Sequence, residues 1–179
     1  WFFLTADYAF GHALEGDTSA VVKANGGQVV GSVKHPLNTP DFSSFLLQAQ
    51  TSKAQIIGLA NGGTDTINAI KTAGEFGIVA GGQKLVGLVL FINDIHALGL
   101  KAANGLMLTT AYYWDLNDKT RAFAERFAKR NNGKVPSMSQ AGTYSSTLAY
   151  LRAVEKVGDA KDGAAVVAAM RDAGSYDDP

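Results

Sequence analysis

Apolar residues in this chain fall into short blocks separated by polar turns, and the two kinds of segment alternate. Trp1–Thr5 (WFFLT) is an apolar strand, Ala6–Gly11 a polar and aromatic turn, and the chain then runs as a helix to Asn25. Phe10, Leu14, Val21 and Val22, with Ala13 and Thr18, form one apolar stripe at helical spacing, and Gly26-Gly27 supplies the stop. Gln28–His35 reads as a β-branched strand. Thr39 and Pro40 read as the N-cap and first position of a second helix, whose buried face is Phe42, Phe45, Leu46 and Ala49.

The same alternation continues. Gln55–Leu59 is a strand, Ala60–Asp65 a turn, and a helix starts at Thr66 with Ile67, Ile70 and Ala73 on one face, stopping near Gly77. Lys84–Phe91 is the fourth strand, followed by Ile92-Asn93-Asp94 and a short helical piece to Leu98. Gly105–Ala111 is the fifth and leads into Tyr112-Tyr113-Trp114-Asp115. Several strands are apolar on both faces, the mark of a parallel sheet covered on both sides. The prediction is an α/β lobe over residues 1–115, a doubly wound parallel sheet.

From residue 116 the texture changes to a helical segment, 116–179. Asp118–Asn131 is a charged amphipathic helix with Phe123 and Phe127 inward, broken at Gly133–Pro136. Ser137–Val157 follows, with Tyr144, Leu148, Leu151 and Val154 near one stripe, and then an Ala-rich helix, Gly163–Arg171. No strand follows, so these helices must pack on the lobe, on a partner or on a domain outside this chain.

Composition narrows the function classes. The 179 residues are enough for one good core or one domain plus part of another. Sixteen basic and sixteen acidic residues give a formal net charge of zero, which lends no support to nucleic-acid binding. There is no cysteine, so disulfides, thiol chemistry and cysteine-ligated metals are excluded. The longest apolar run, Leu85–Ile92, falls far short of the ~20 residues that span a bilayer. The openings at Trp1 and the end at Tyr176–Pro179 read as the abrupt ends of a fragment.

Candidate chemistry clusters at strand carboxyl ends, where open parallel sheets bind ligands. Asn61, Gly62 and Gly63 form a glycine-rich turn into a helix, able to line a small-ligand site or hold an anion on backbone N–H groups. It matches neither the dinucleotide nor the phosphate-loop pattern, so no cofactor is expected. A tight strand–helix connection explains the same glycines. His12, His35 and His96 share no metal-ligand spacing and read as surface or supporting residues. Asp7, Asp65 and Asp94 follow strand ends and are explained separately as helix caps. Tyr8, Phe10, Phe91, Tyr112, Tyr113 and Trp114 also fall at strand ends. Some are core plugs on one reading. On the other they offer flat apolar faces with a polar tip to an aromatic or apolar ligand.

Several runs carry a resemblance: DYAFGHALE at 7–15, TPDFSSFL at 39–46, AQIIGLANGG at 54–63, AANGLML at 102–108 and QAGTYSSTLAYLRAV at 140–154. They are similar to the type I periplasmic solute-binding proteins of branched-chain amino-acid-type ABC transporters. The run Tyr112–Asp118 looks most like the branch that takes up aromatic carboxylic acids. The resemblance implies two α/β lobes that close on a ligand by hinge motion, with this chain supplying the second. The helices from about Lys119 would pack with the first lobe, and a membrane permease would be the partner. It implies a periplasmic location, no catalysis, and a ligand that is an aromatic or branched-chain carboxylate or amino acid. Carried over by motif, Phe10 faces the ligand and Asn61, Gly62 and Gly63 form a ligand-facing turn. Phe91–Asp94 matches the region where amino-acid binders carry an acidic residue, here Asp94. Tyr8 and Tyr113 complete the expected wall. Two other readings stand beside it: a doubly wound enzyme using Asp7 or Asp94 as acid or base, and a sensory domain of the same fold.

Overall fold

The computed structural model describes residues 1–174, so the chain end at Tyr176–Pro179 lies outside the described residues. The chain divides into two compact units, Trp1–Thr110 and Ala111–Pro179.

The first unit holds a five-stranded parallel sheet in the order β2-β1-β3-β4-β5. The strands are β1 (Phe2–Ala6), β2 (Gly31–His35), β3 (Ile56–Ala60), β4 (Lys84–Gly87) and β5 (Leu106–Leu108). Its helices are α1 (Ala9–Ala24), α2 (Ser43–Thr51), α3 (Gly63–Glu75), α4 (Ile92–Leu98) and α5 (Leu100–Ala103). All five residues of β1 are buried. Alternation sends Phe2, Leu4 and Ala6 to one face, Phe3 and Thr5 to the other. On the first face Phe2, Leu4, Ile57, Leu59 and Leu85 pack with Phe42 at the N-cap of α2, Leu46 and Ala49 within α2, and Ala69, Ile70 and Ala73 of α3. Burying each of the large side chains contributes roughly 2 kcal/mol. On the second face the Thr5 hydroxyl donates to Glu15 of α1 at 2.6 Å, and Gly58 leaves room for the Phe3 ring.

The α/β class and parallel sheet follow the expectation; several boundaries do not. Helix α1 buries Gly11 and Val22, while Phe10 and Val21 are exposed. The cause is Gly11, where an added Cβ would sit 2.1 Å from the Ala6 carbonyl oxygen. The helix therefore rests its glycine on the end of β1; of the expected stripe Val22 is buried and Leu14 and Thr18 are half-buried, while Phe10, Ala13 and Val21 are exposed. Phe10 lies in the first turn of α1 rather than before it. Helix α2 starts at Ser43, not at Thr39-Pro40. Thr39 is committed elsewhere: its hydroxyl donates to the Pro36 carbonyl at 2.6 Å and its N–H to Asp65 at 3.0 Å. Asp41 receives the Ser43 N–H instead. Hydrogen bonds from the Ser43 hydroxyl and then its N–H hold the Asp41 carboxyl below its ordinary pKa. Helix α3 begins at Gly63, three residues before the expected Thr66. Strand β4 stops at Gly87, where the buried Leu90 folds back to within 3.0 Å of the Gly87 Cβ position. Met107 and Leu108 of β5 are exposed at the sheet edge.

The second unit carries α6 (Asp118–Ala128), α7 (Met138–Val157) and α8 (Gly163–Asp172), with no strand among the described residues. Reciprocal caps start the first two: Asn117 with Thr120, and Ser137 with Gln140. Gly158, at φ 79°, ends α7 in a left-handed cap. Helices α7 and α8 meet through Ala153, Val166 and Ala169, backed by Val154, Val157 and Met170. Phe123 is buried as expected and its ring lies 4.7 Å from that of Tyr144. The expected α7 stripe is corrected: Ala141 and Ala153 are the buried residues, whereas Tyr144 and Leu151 are exposed.

Candidate functional site

The strand order reverses between β1 and β3: the chain leaves β1 to one side for β2 and returns to the other side for β3. Loops diverging at such a switch point leave a crevice above the strand carboxyl ends. At the β1 end the chain turns through Asp7 and enters α1 with Tyr8 as an extended N-cap, φ −154°. The rings of Tyr8 and Phe10 lie 5.7 Å apart at 30°, with 39% and 38% of each residue exposed. These are large apolar faces left in contact with water beside a crevice.

The β3 end supplies the other side. Gly62 is the N-cap of α3, and its Cβ position lies 3.7 Å from the edge of the Phe10 ring. Tyr8, Phe10 and Gly62 are thus brought together. Gly63 has φ +59°, a left-handed conformation in which a side chain would be strained. No side chain caps this helix start, so its first N–H groups are open to an acceptor.

Asn61 lies inward. It is fully buried, its amide nitrogen 3.0 Å from His35 Nε2 and its amide oxygen accepting the Thr66 hydroxyl at 2.7 Å. His35 is also fully buried, with Nδ1 2.8 Å from the Pro36 carbonyl. A carbonyl only accepts, so Nδ1 carries the proton and Nε2 accepts from Asn61. Asp65, 5% exposed, accepts the N–H groups of Asn38 and Thr39 at 3.1 and 3.0 Å. It ties the β2–α2 loop to α3 rather than capping its own helix. Asp65→Ala is expected to destabilise the fold by about 1.5 kcal/mol, because two inward N–H groups lose their acceptor. Thermal denaturation checks this, with Asp65→Asn recovering part of the loss through its single amide oxygen.

Phe91 and Asp94 stand one strand further along the same edge. Phe91 is the half-buried N-cap of α4, and Asp94 is buried with one carboxylate oxygen accepting the Phe91 N–H at 2.9 Å. That bond is the capping role expected of Asp94. Asp7 instead meets His12 Nε2 at 2.8 Å in an exposed pair. Tyr113 belongs to the second unit, is exposed, and stands 6.0 Å from the Trp114 ring. Tyr112 is half-buried there; burial pushes its phenol pKa up, and its hydroxyl donates to the Thr120 carbonyl.

Sequence reasoning placed the aromatic turn and the glycines correctly on strand ends but missed the chain His35–Asn61–Thr66. The signal was available: His35 and Asn61 each close a strand that flanks β1, and β1 ends on the small Ala6. Among the described residues no cluster of His, Asp or Glu is disposed to hold a metal ion, and no helix is long and apolar enough to cross a membrane.

Comparison with known proteins gives the arrangement its context. A periplasmic binding protein of known structure from Burkholderia mallei is 55% identical, with a TM-score of 0.92 over 99% of this chain and 46% of its own. A solute-binding protein of an ABC transporter from Rhodopseudomonas palustris HaA2, solved in complex with p-hydroxybenzoic acid, is 25% identical. It has a TM-score of 0.84 and covers 94% of this chain and 47% of its own. A Leu/Ile/Val-binding protein homolog 6 from Brucella melitensis is 29% identical over 174 residues, 94% of this chain and 44% of that protein. The chain thus spans about half the length of the relatives it matches. Residues 1–179 match throughout the family described as periplasmic binding protein, and this chain belongs to that family.

Proposed function

We propose that this chain forms one wall of the ligand cleft of a periplasmic solute receptor that takes up a small aromatic carboxylate for an ABC transporter. The observation that carries the reading is the exposed Tyr8–Phe10 pair lying over Gly62, at the start of a helix that no side chain caps. A ligand ring stacked on these faces loses apolar surface to water, worth about 25 cal/mol per Å². Open N–H groups at the α3 start favour a carboxylate or phenolic oxygen beside it. Gly63 belongs to this turn, and Phe91 and Asp94, at the next strand end, extend the wall. Asn61 supports it from within. A first lobe of the same receptor supplies the facing wall, and closure of the two presents the loaded form to the membrane permease. The reading contains no covalent step and no cofactor.

Support for an aromatic ligand comes from the structural relative solved with p-hydroxybenzoic acid. The test is a thermal shift of the two-lobed receptor with 4-hydroxybenzoate and, separately, with leucine. At a hundredfold excess over Kd, 4-hydroxybenzoate is expected to stabilise by about 2.7 kcal/mol. Stabilisation by leucine alone would replace the aromatic ligand with an aliphatic amino acid, and no response to either would overturn the reading.

A further inference from the structure

We propose that His35 is a positioning residue for the ligand site, acting through Asn61 to hold the β3–α3 turn beneath the Phe10 ring. The inference rests on the reading of that turn as part of the ligand wall. Its starting point is the turn itself: Gly62 and Gly63 have no side chains, so nothing of their own can anchor them. Their position must come from the residues on either side, and Asn61 is the one immediately before them.

The sheet register makes the bridge possible. His35 pairs with Ala6 in the β1–β2 ladder, and Thr5 pairs with Ala60 in the β1–β3 ladder. Asn61 therefore follows beside Ala6 on its other side. By strand alternation, His35, Ala6 and Asn61 point to the same face, the one covered by α2. A methyl group is all that Ala6 places between them, and the imidazole reaches across it to Asn61. The His35 ring is fixed edge-on by Phe42, the N-cap of α2, and Phe45 within that helix, at 4.8 and 6.0 Å. Its Nδ1 is occupied by the Pro36 carbonyl, so the ring can neither rotate nor flip without losing a bond.

From Asn61 the chain of bonds continues to the Thr66 hydroxyl, in the first turn of α3. Each step is shut away from water: His35, Asn61 and Thr66 are 0% exposed. Apolar side chains in these places would fill the space with less desolvation. They would not set a direction. A satisfied polar chain admits one arrangement, and here that arrangement ties the end of β2 to the start of α3, on either side of the aromatic turn.

The test uses the two-lobed receptor with 4-hydroxybenzoate as probe. His35→Phe keeps the ring packing and removes both nitrogens; His35→Gln restores an acceptor facing Asn61; Thr66→Val cuts the far end of the chain. His35→Phe is expected to weaken affinity about tenfold, the equivalent of one hydrogen bond, and to speed amide exchange at Gly62 and Gly63. His35→Gln should recover most of both. Nitrogen chemical shifts of the wild-type imidazole should show the proton on Nδ1. Lower melting temperature with unchanged affinity and unchanged Gly62–Gly63 exchange would reduce His35 to a packing residue and overturn the proposal, as would a proton on Nε2. Should His35→Phe fail to fold, Thr66→Val decides by the same exchange readout. If wild-type receptor ignores 4-hydroxybenzoate, the functional reading fails, while exchange and tautomer still decide the positioning role.

Discussion

Gly11→Ala is expected to destabilise the first unit by roughly 3 kcal/mol, at the upper end of overpacking effects. The added Cβ would lie 2.1 Å from the Ala6 carbonyl oxygen and 3.0 Å from the Ala6 nitrogen and carbonyl carbon. These are backbone atoms of the last residue of β1, a strand paired on both sides, and no rotamer change moves them. Relief requires α1 to lift from β1, which strains the Thr5–Glu15 bond and shifts the turn carrying Tyr8 and Phe10. Urea denaturation should show a lower midpoint with an unchanged slope. Gly16→Ala provides the internal control. Gly16 belongs to the same helix with nothing within 4 Å of its Cβ position, so alanine there should stabilise by about 0.8 kcal/mol through helix propensity. Equal responses at the two glycines would show that the close approach to Ala6 is not what distinguishes them.

Phe10→Ala is expected to weaken binding of 4-hydroxybenzoate by roughly 2 kcal/mol, about thirtyfold, while leaving the melting temperature near wild type. The asymmetry follows from exposure: at 38% exposed, the ring contributes little to the core. What it holds in reserve is an apolar face whose burial awaits the ligand. Phe10→Leu should fall between the two, keeping apolar area but losing the flat ring. Isothermal titration on the two-lobed receptor measures all three. Wild-type affinity in Phe10→Ala would place the ligand elsewhere.

Phe10 and Phe42 mark the line between what hydrophobic periodicity specifies and what it does not. Phe42, in a run with Phe45, Leu46 and Ala49, packs where helical spacing puts it. So do the strand positions of β1, because a strand buried on both faces leaves an unbroken apolar word. Phe10 fits both the buried stripe and a ligand wall by sequence; only Gly11 decides between these, through a contact with Ala6 that no periodicity contains. The start of α2 departs from its local sequence signal for a similar reason. Thr39-Pro40-Asp41 has the local chemistry of a helix start, but Asp65, 26 residues away, draws Thr39 into the loop. The His35–Asn61 bond was invisible because it depends on register across three strands. In the second unit, spacing alone could not tell which face of α7 would meet α8, and small residues, Ala153 and Ala169, took that contact. Strand ends, glycine turns and exposed aromatics were legible; the buried polar chain behind them was not.

Strand β1, paired on both sides, has a consequence for the order of folding events. Phe2 pairs with Gly31 on one side and with Ile57 on the other, so β1 has no strand partner near it in the chain. Both pairings must close long loops first, and the entropy of closure is lost before any ladder bond forms. Helices α7 and α8, joined through a short connection, face no such delay. The first unit is therefore expected to fold more slowly than the α7–α8 pair. Of its ladders, the one between β1 and β3 closes the longest loop, and these are the two strands whose ends flank the Tyr8–Phe10 turn.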